Sequence, residues 1–262
     1  IAIRERLKAL LQMSAVLTYG ATLPVVKVGR IAGQFAKPRS SSTELIDGLE
    51  LPSFRGHAVH SEEPTLAERT PDPERLVQAY YQAVSSLNLL RAFTKGGFAD
   101  LTQVHTWNQE FVASSLEGRR YEVIANEIGR ALRFMQAIGI DLGDERSIHE
   151  VDVWTSHEAL LLDYEEPLTR KDSTTGDWYA CSAHFLWAGE RTRGLDGAHV
   201  AFLEGVHNPV GAKVGPSATP DEVVALAERL NPDRVPGRLT LISRLGAERV
   251  EELLPPLLRA VR

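Results

Sequence analysis

The stretch that decides the fold runs through residues 183–214. It comprises Ala183-His184-Phe185-Leu186-Trp187, a helical pattern over 196–206, and Val210-Gly211-Ala212-Lys213-Val214. The first and last of these are short apolar runs of strand length, and the middle segment has helical spacing. An alternation of strand, helix and strand predicts parallel strands joined by right-handed crossovers.

The same alternation continues on both sides of this stretch. A strand is predicted at 151–154, with a short helix after Ser156. Downstream, Thr219-Pro220-Asp221-Glu222 predicts a helix that starts with a capping box. A strand at 239–243 and a helix at 246–261 complete the series.

The N-terminal part is predicted to be mainly helical. Residues 1–18 have the spacing of an amphipathic helix, and 24–28 form a short apolar strand. Helices over about 73–93 and 118–138 are expected to form a helical hairpin inserted at 73–138. Residues 32–72 are rich in Gly, Pro, Ser and charge, which predicts a long loop of functional importance.

These patterns give five parallel strands, whereas a closed (β/α)8 barrel needs eight. An open doubly wound sheet and an incomplete barrel are both compatible with that number. The 262 residues, 43% of them hydrophobic, are enough for one large domain over 1–262.

Composition excludes several classes of function. The net charge of -6 argues against nucleic acid or an anionic membrane as partner. No apolar run has the length of a membrane span. The single cysteine, Cys181, rules out an intrachain disulfide and a cysteine-based zinc site, and we expect a reducing, cytoplasmic environment.

Basic residues follow most of the predicted strands. Ligands of α/β proteins bind beyond the carboxyl ends of the strands, so these residues are expected to converge. Arg and Lys are suited to carboxylate and phosphate groups, so we predict a site for a substrate with several anionic groups. The residues at the five strand ends are Arg30, Lys37, Arg39 and Ser40; Ser156, His157 and Glu158; Glu190, Arg191 and Arg193; Lys213; and Arg244.

The segment Lys37-Pro38-Arg39-Ser40 is the most specific of these features. Proline removes a backbone donor and fixes the chain, which leaves two cations and a hydroxyl around one point. Other motifs are weaker. His157-Glu158 lacks the second histidine of a zincin helix, and the sequence has neither a Gly-x-Gly-x-x-Gly fingerprint nor a Walker A loop.

Several collinear segments resemble the class II 3-deoxy-D-arabino-heptulosonate 7-phosphate (DAHP) synthases. Together they extend across nearly the whole chain. They are Arg30-Ile31-Ala32-Gly33-Gln34-Phe35-Ala36-Lys37-Pro38-Arg39-Ser40, Ser156-His157-Glu158-Ala159-Leu160, Ser182-Ala183-His184, the segment 187–193, the segment 208–216 and the segment 236–244.

The resemblance implies a (β/α)8 barrel, incomplete in this chain, that condenses phosphoenolpyruvate with erythrose 4-phosphate. This would be the first step of the shikimate pathway or of a specialised branch. The implied phosphoenolpyruvate contacts are Arg30, Arg191, Lys213 and Arg244. The implied erythrose 4-phosphate contacts are Lys37, Arg39 and Ser40, with Lys27 and Trp187 at the bottom of the same pocket. Lys213 and Glu190 are the candidate catalytic residues, for proton transfer and for orienting water.

The resemblance also implies a divalent metal, Mn2+ or Co2+, and a homo-oligomer, either a dimer or a tetramer. The metal ligands of the family fall before the first helix and after the last, so we expect residues 1–262 to be the middle of a longer protein and to hold no metal ligand. Two alternatives remain open: another phosphosugar aldolase or lyase, with Lys27 or Lys213 as a Schiff-base lysine, and a degenerate barrel that binds anions without turnover.

Overall fold

The computed structural model describes residues 2–31, 33, 35–140 and 150–262. Ala32 and Gln34 of the quoted Arg30–Ser40 segment therefore lie outside the described residues. The chain forms two compact units. One consists of Ile1–Gly29 with Val84–Trp154, and the other of Arg30–Ala83 with Thr155–Arg262.

The first unit is helical. It contains α1 (Ala2–Ala21), the second half of α2 (Glu74–Lys95), α3 (Leu101–Ser114), a 3-10 turn (Gly118–Tyr121), α4 (Glu122–Ala137) and the short strand β1 (Val28–Gly29). α1 buries Leu7 and Leu11, and α4 buries Ile128 and Leu132. The helices predicted at 1–18, 73–93 and 118–138 are thus present.

Helix α3 was not predicted, and it adds a third helix to the expected hairpin. It starts at Asp100, whose side chain accepts a hydrogen bond from the Thr102 N–H at 2.6 Å. Its buried residues include Asn108 as well as Val104, so its apolar stripe is too narrow to stand out in the sequence.

The second unit contains two antiparallel hairpins and most of a parallel sheet. The hairpins pair β2 (Thr43–Ile46) with β3 (Leu49–Pro52) and β5 (Thr169–Lys171) with β6 (Trp178–Ala180). The other strands are β4 (Trp154–Glu158), β7 (Phe185–Ala188), β8 (Val210–Val214) and β9 (Leu239–Ser243). The β2–β3 hairpin lies in the segment predicted to be a long loop.

The sheet has the strand order β1-β4-β7-β8-β9, and the pairs β4–β7, β7–β8 and β8–β9 are parallel. The five strands stand in the sheet in the same order as in the chain, and the strands omitted from this order form the two hairpins. A doubly wound sheet reverses its order at a switch point, whereas successive barrel strands do not. The order therefore matches part of a barrel.

Helices of the second unit cover this sheet. They are α5 (Leu162–Glu165), α6 (Ala198–Glu204), α7 (Pro220–Leu230) and α8 (Val250–Ala260). The sheet residues Leu186, Val210 and Ala212 are fully buried and share a core with Leu203 and Leu226. This core holds the strands in a fixed register, so their carboxyl ends present side chains at defined positions.

The predicted capping box of α7 is present. Thr219 accepts from the Glu222 N–H, and the Glu222 carboxylate accepts from the Thr219 N–H at 3.0 Å. The strands β8 and β9 also have the predicted bounds.

The strand predicted at 151–154 is wrong in position. The Val151 N–H donates to Thr94 O, and the ladder starts only where the Trp154 N–H donates to Lys27 O at 2.8 Å. β4 therefore covers Trp154–Glu158, and His157 and Glu158 lie within the strand instead of after it. No helix within the described ranges is long and apolar enough to span a membrane.

Candidate anion-binding site

Two cations lie on one tryptophan at the carboxyl end of the sheet. Trp187, near the end of β7, is 6% exposed. The guanidinium carbon of Arg30 lies 5.6 Å from its ring centroid, and Lys213 Nζ lies 5.7 Å from it. The structure thus brings together Arg30, Lys213 and Trp187, which the sequence placed at three different strand ends. Cations within about 6 Å of a ring centroid are attracted by the ring.

Lys213 also forms an ion pair with Glu158. Its Nζ lies 2.5 Å from Glu158 Oε2, and Glu158 is 3% exposed. Gly189 makes room for this carboxylate, because a Cβ there would stand 2.1 Å from Glu158 Oε1. A buried carboxylate needs a partner of this kind. Sequence reasoning singled out Glu158 but did not identify Lys213 as its partner.

Two side chains hold Glu190. Arg193 follows β7, as Glu190 does, and Ser217 follows the next strand, β8. Glu190 Oε1 accepts from Arg193 Nη2 at 3.1 Å and from Ser217 Oγ at 3.2 Å. Its Oε2 is buried and has no hydrogen-bond partner among the described residues. Arg193 Nη1 also lies 3.6 Å from Glu222 Oε2, so one guanidinium bridges Glu190 and the cap of α7.

Arg191 and Arg244 are exposed at the same end of the sheet. Arg244 directly follows β9, and its N–H donates to Val214 O at 2.8 Å, which extends the β8–β9 ladder by one bond. Its backbone is therefore fixed beside the residue that follows Lys213.

The segment Lys37–Ser40 is anchored by the β2–β3 hairpin. The Lys37 N–H donates to Arg55 O at 2.7 Å. Arg39 forms an ion pair with Glu44, which also accepts from Arg69 Nη1 at 2.9 Å and from the Phe54 N–H at 3.0 Å.

Glu44 is the residue that fixes Arg39. The Phe54 N–H and the two guanidiniums stabilise its carboxylate and hold the pKa of Glu44 below its ordinary value. The side chain of Arg69 is only 3% exposed, so this network belongs to the folded frame of the loop. Ser40 and Lys37 are exposed.

Lys27 belongs to the first unit, where its Nζ donates to Val25 O at 3.3 Å. Cys181 is exposed, and its Sγ lies 3.6 Å from Tyr179 O.

The ligands for a metal ion are not assembled in the described part of the chain. No group of three or more His, Cys, Asp or Glu side chains could hold a metal there.

The arrangement can bind an anion and move a proton beside it. Arg30 offers a planar set of donors, and Lys213 offers a point charge. The carboxylate of Glu158 partly neutralises Lys213, and either group can exchange a proton with a bound ligand. A parallel α/β sheet with such residues at its carboxyl edge is typical of enzymes that bind phosphorylated metabolites.

Comparison with known proteins identifies the family. The model of the class-II DAHP synthetase family matches residues 1–262, and the chain belongs to this family. The chain is 56% identical over 259 residues to a phospho-2-dehydro-3-deoxyheptonate aldolase of Streptomyces coelicolor, covering 99% of the chain and 57% of that protein. It is 51% identical over 265 residues to phospho-2-dehydro-3-deoxyheptonate aldolase AroG of Mycolicibacterium smegmatis, covering 99% and 56% respectively. The chain thus spans about half the length of the curated relatives it matches.

Proposed function

We propose that this chain carries the substrate-binding part of an enzyme that condenses phosphoenolpyruvate with erythrose 4-phosphate to DAHP and phosphate, the first step of the shikimate pathway. The observation that carries the proposal is the convergence of Arg30, Lys213 and Glu158 around Trp187 at the carboxyl end of the sheet. Family membership supports the choice of reaction. The proposal includes a (β/α)8 barrel of which residues 1–262 form a single, partial domain, with a helical segment inserted at 73–138. It also includes a homo-oligomer and a cytoplasmic location.

Phosphoenolpyruvate has a carboxylate and a phosphate, so its site must hold several negative charges close together. We assign its contacts to Arg30, Arg191, Lys213 and Arg244. Their placement at or beyond the ends of parallel strands supports this assignment. Cations at such a site stabilise the anion most where water is partly excluded, and Trp187 provides an apolar surface of that kind.

Erythrose 4-phosphate would bind beside this site through Lys37, Arg39 and Ser40. Glu44 holds the Arg39 guanidinium in place, and the Lys37 backbone is tied to Arg55. A loop that is fixed before the ligand arrives loses less entropy on binding.

In the reaction, the methylene carbon of phosphoenolpyruvate forms a bond to the aldehyde carbon of the sugar. Water then adds to the former enol carbon, and phosphate leaves with its bridging oxygen. Lys213, paired with Glu158, is the candidate for proton transfer near this oxygen. Glu190 is the candidate for orienting the water, since its Oε2 is buried and has no partner among the described residues. A bound divalent metal would polarise the aldehyde carbonyl.

The first test measures binding. Titration calorimetry with phosphoenolpyruvate should show saturable binding to the wild-type protein. Arg30→Lys should weaken it about tenfold, because lysine keeps the charge but loses the planar donors. The control Arg259→Lys, on the exposed end of α8, should leave the affinity unchanged. Equal affinity of both variants would contradict the assignment of Arg30.

The second test measures turnover and separates the alternatives. With both substrates and Mn2+ or Co2+, the proposal predicts phosphate release together with DAHP. Borohydride trapping of a substrate on Lys27 or Lys213 would indicate a Schiff-base aldolase instead. Tight binding of phosphoenolpyruvate without phosphate release from the metal-loaded full-length protein would indicate an anion-binding scaffold.

A further inference from the structure

A buried cluster of three polar side chains lies just outside the candidate site. His157 is fully buried, and Glu165 is 2% exposed. His157 Nε2 lies 2.6 Å from Glu165 Oε1, and Ser182 Oγ donates to Glu165 Oε2. Burying a carboxylate and an imidazole together costs free energy unless they pair closely. A buried pair of this kind therefore suggests a specific role for these two residues.

The cluster does not have the geometry of a nucleophile. Ser182 is 5% exposed, and its hydroxyl donates to the carboxylate, while its Oγ is 3.4 Å from His157 Nε2. A serine activated for attack would donate to the histidine and face an open pocket. The three side chains instead form a closed group inside the fold.

His157 is the member of the cluster that contacts the loop starting at Arg30. Neighbouring residues of a strand point to opposite faces, so Glu158 faces Lys213 and His157 faces away from it. The His157 ring lies against Gly33, where a Cβ would stand 2.4 Å from Nδ1 and 2.6 Å from Cε1. Gly33 also has a φ of +75°, which favours glycine.

The loop has a second support next to Glu165. Phe35 packs in a cluster with Ala58, Ala79 and Tyr164, and the Ala58 N–H donates to Phe35 O at 2.9 Å. Burial raises the pKa of Tyr164 to about 12, so its phenol stays neutral within this cluster. Helix α5 thus contributes two adjacent residues, Tyr164 and Glu165, to the surface on which the loop rests.

We propose that His157, held by Glu165, is a positioning residue for the loop that carries Arg30, Lys37 and Arg39. The imidazole fixes Gly33, which lies between Arg30 and Lys37 in the sequence, and the buried carboxylate fixes the imidazole. This inference rests on the proposed function in assigning those cations to substrate binding. A site of this kind must hold its groups to within about 0.5 Å, and the residues behind them supply that precision.

The test compares two substitutions in the same cluster. Glu165→Gln keeps the shape but replaces the charge that holds His157, while Ser182→Ala removes only the hydroxyl and leaves the His157–Glu165 contact in place. Phosphoenolpyruvate binding is measured by titration calorimetry, and amide hydrogen exchange is followed in the peptide that spans residues 35–40. We expect Glu165→Gln to weaken binding about tenfold and to speed exchange in this peptide. Ser182→Ala should stay within about twofold of the wild type in affinity.

A third variant approaches the same contact from the loop. Gly33→Ala pushes a methyl group into the ring and should give the same two effects. In the double variant with Glu165→Gln, Gly33→Ala should weaken binding little further, because both changes act through the position of the His157 ring. Unchanged exchange and affinity in folded Glu165→Gln, or full additivity of the two changes, would overturn the inference.

The two proposals fail in different ways. A wild-type protein that does not bind phosphoenolpyruvate would contradict the proposed function, yet the exchange measurement would still test the support of the loop. Normal binding by the wild type and by Glu165→Gln would contradict only the role of the buried pair.

Discussion

Lys213 and Glu158 form an ion pair across the strand that lies between their own two strands. Glu158 ends β4 and Lys213 lies in β8, with β7 between these strands in the sheet, and the atoms Nζ and Oε2 are 2.5 Å apart. The pair is possible because β7 is followed by Gly189, where any Cβ would collide with the carboxylate. Three strand ends are thus needed to make one contact of the site.

The pair can be tested by a double-mutant cycle. Lys213→Met leaves Glu158 buried without its cation and should lower the free energy of unfolding by about 3 kcal/mol. The double variant with Glu158→Gln should regain most of this loss, since the uncompensated charge is gone. Urea unfolding measures both values. A Lys213→Met variant as stable as the wild type would show that the pair contributes nothing to stability.

Gly189 offers an independent test of the same contact. Gly189→Ala should displace the Glu158 carboxylate, lower the free energy of unfolding by about 1–3 kcal/mol and weaken phosphoenolpyruvate binding. Gly194→Ala is the matched control, because a Cβ at Gly194 meets nothing within 4 Å. If both alanine variants behave alike, the close approach of residue 189 to Glu158 is not significant.

Glu44 predicts a pH dependence of the loop that carries Arg39. Its folded pKa is lowered, so its contribution to stability is fully present above the ordinary value of 4.5 and is lost as the pH falls through the lower folded pKa. The stability difference between the wild type and Glu44→Gln should therefore shrink as the pH falls below the ordinary value of 4.5. Urea unfolding over this range measures it. A difference that stays constant with pH would rule out the ionised carboxylate as its source.

Asn208 should be important for the start of β7. Its Oδ1 accepts from the Ala180 N–H at 2.8 Å, and its Nδ2 donates to Ala180 O at 3.0 Å and Ala183 O at 3.2 Å. Asn208→Leu leaves these buried backbone groups without partners and should cost about 2 kcal/mol in thermal or urea unfolding. Asn126→Leu, on an exposed position of α4, should change stability by less than about 0.5 kcal/mol. A similar effect of both would contradict the bridging role.

The sequence predicted the sheet best where a strand is both short and apolar. β8 and β9 have their predicted bounds because each is an isolated apolar run between turn residues, and α7 is marked by its capping box. The hairpin of β2 and β3 was missed although it has a recognisable turn. Asp47 and Gly48 both have positive φ, of 50° and 82°, and Asp-Gly between alternating apolar residues predicts such a hairpin.

The site could be predicted only as a set of residues. The strand-end rule selected Arg30, Lys213 and Glu158, but no local pattern indicates which of these pair, because the contacts join residues far apart in the sequence. For the same reason Glu165 and Glu44 were missed. Each pairs with a residue that had been singled out, His157 and Arg39, and only the folded chain brings them together.

The guanidinium of Arg193 ties assembly of the site to the folding of a helix. It contacts Glu190 at one strand end and Glu222 in the cap of α7. The first turn of α7 therefore helps to hold Arg193 against Glu190, and fraying of that turn removes one of the two carboxylates that this guanidinium contacts. Glu190, Arg193 and helix α7 should then fold and unfold as one cooperative unit.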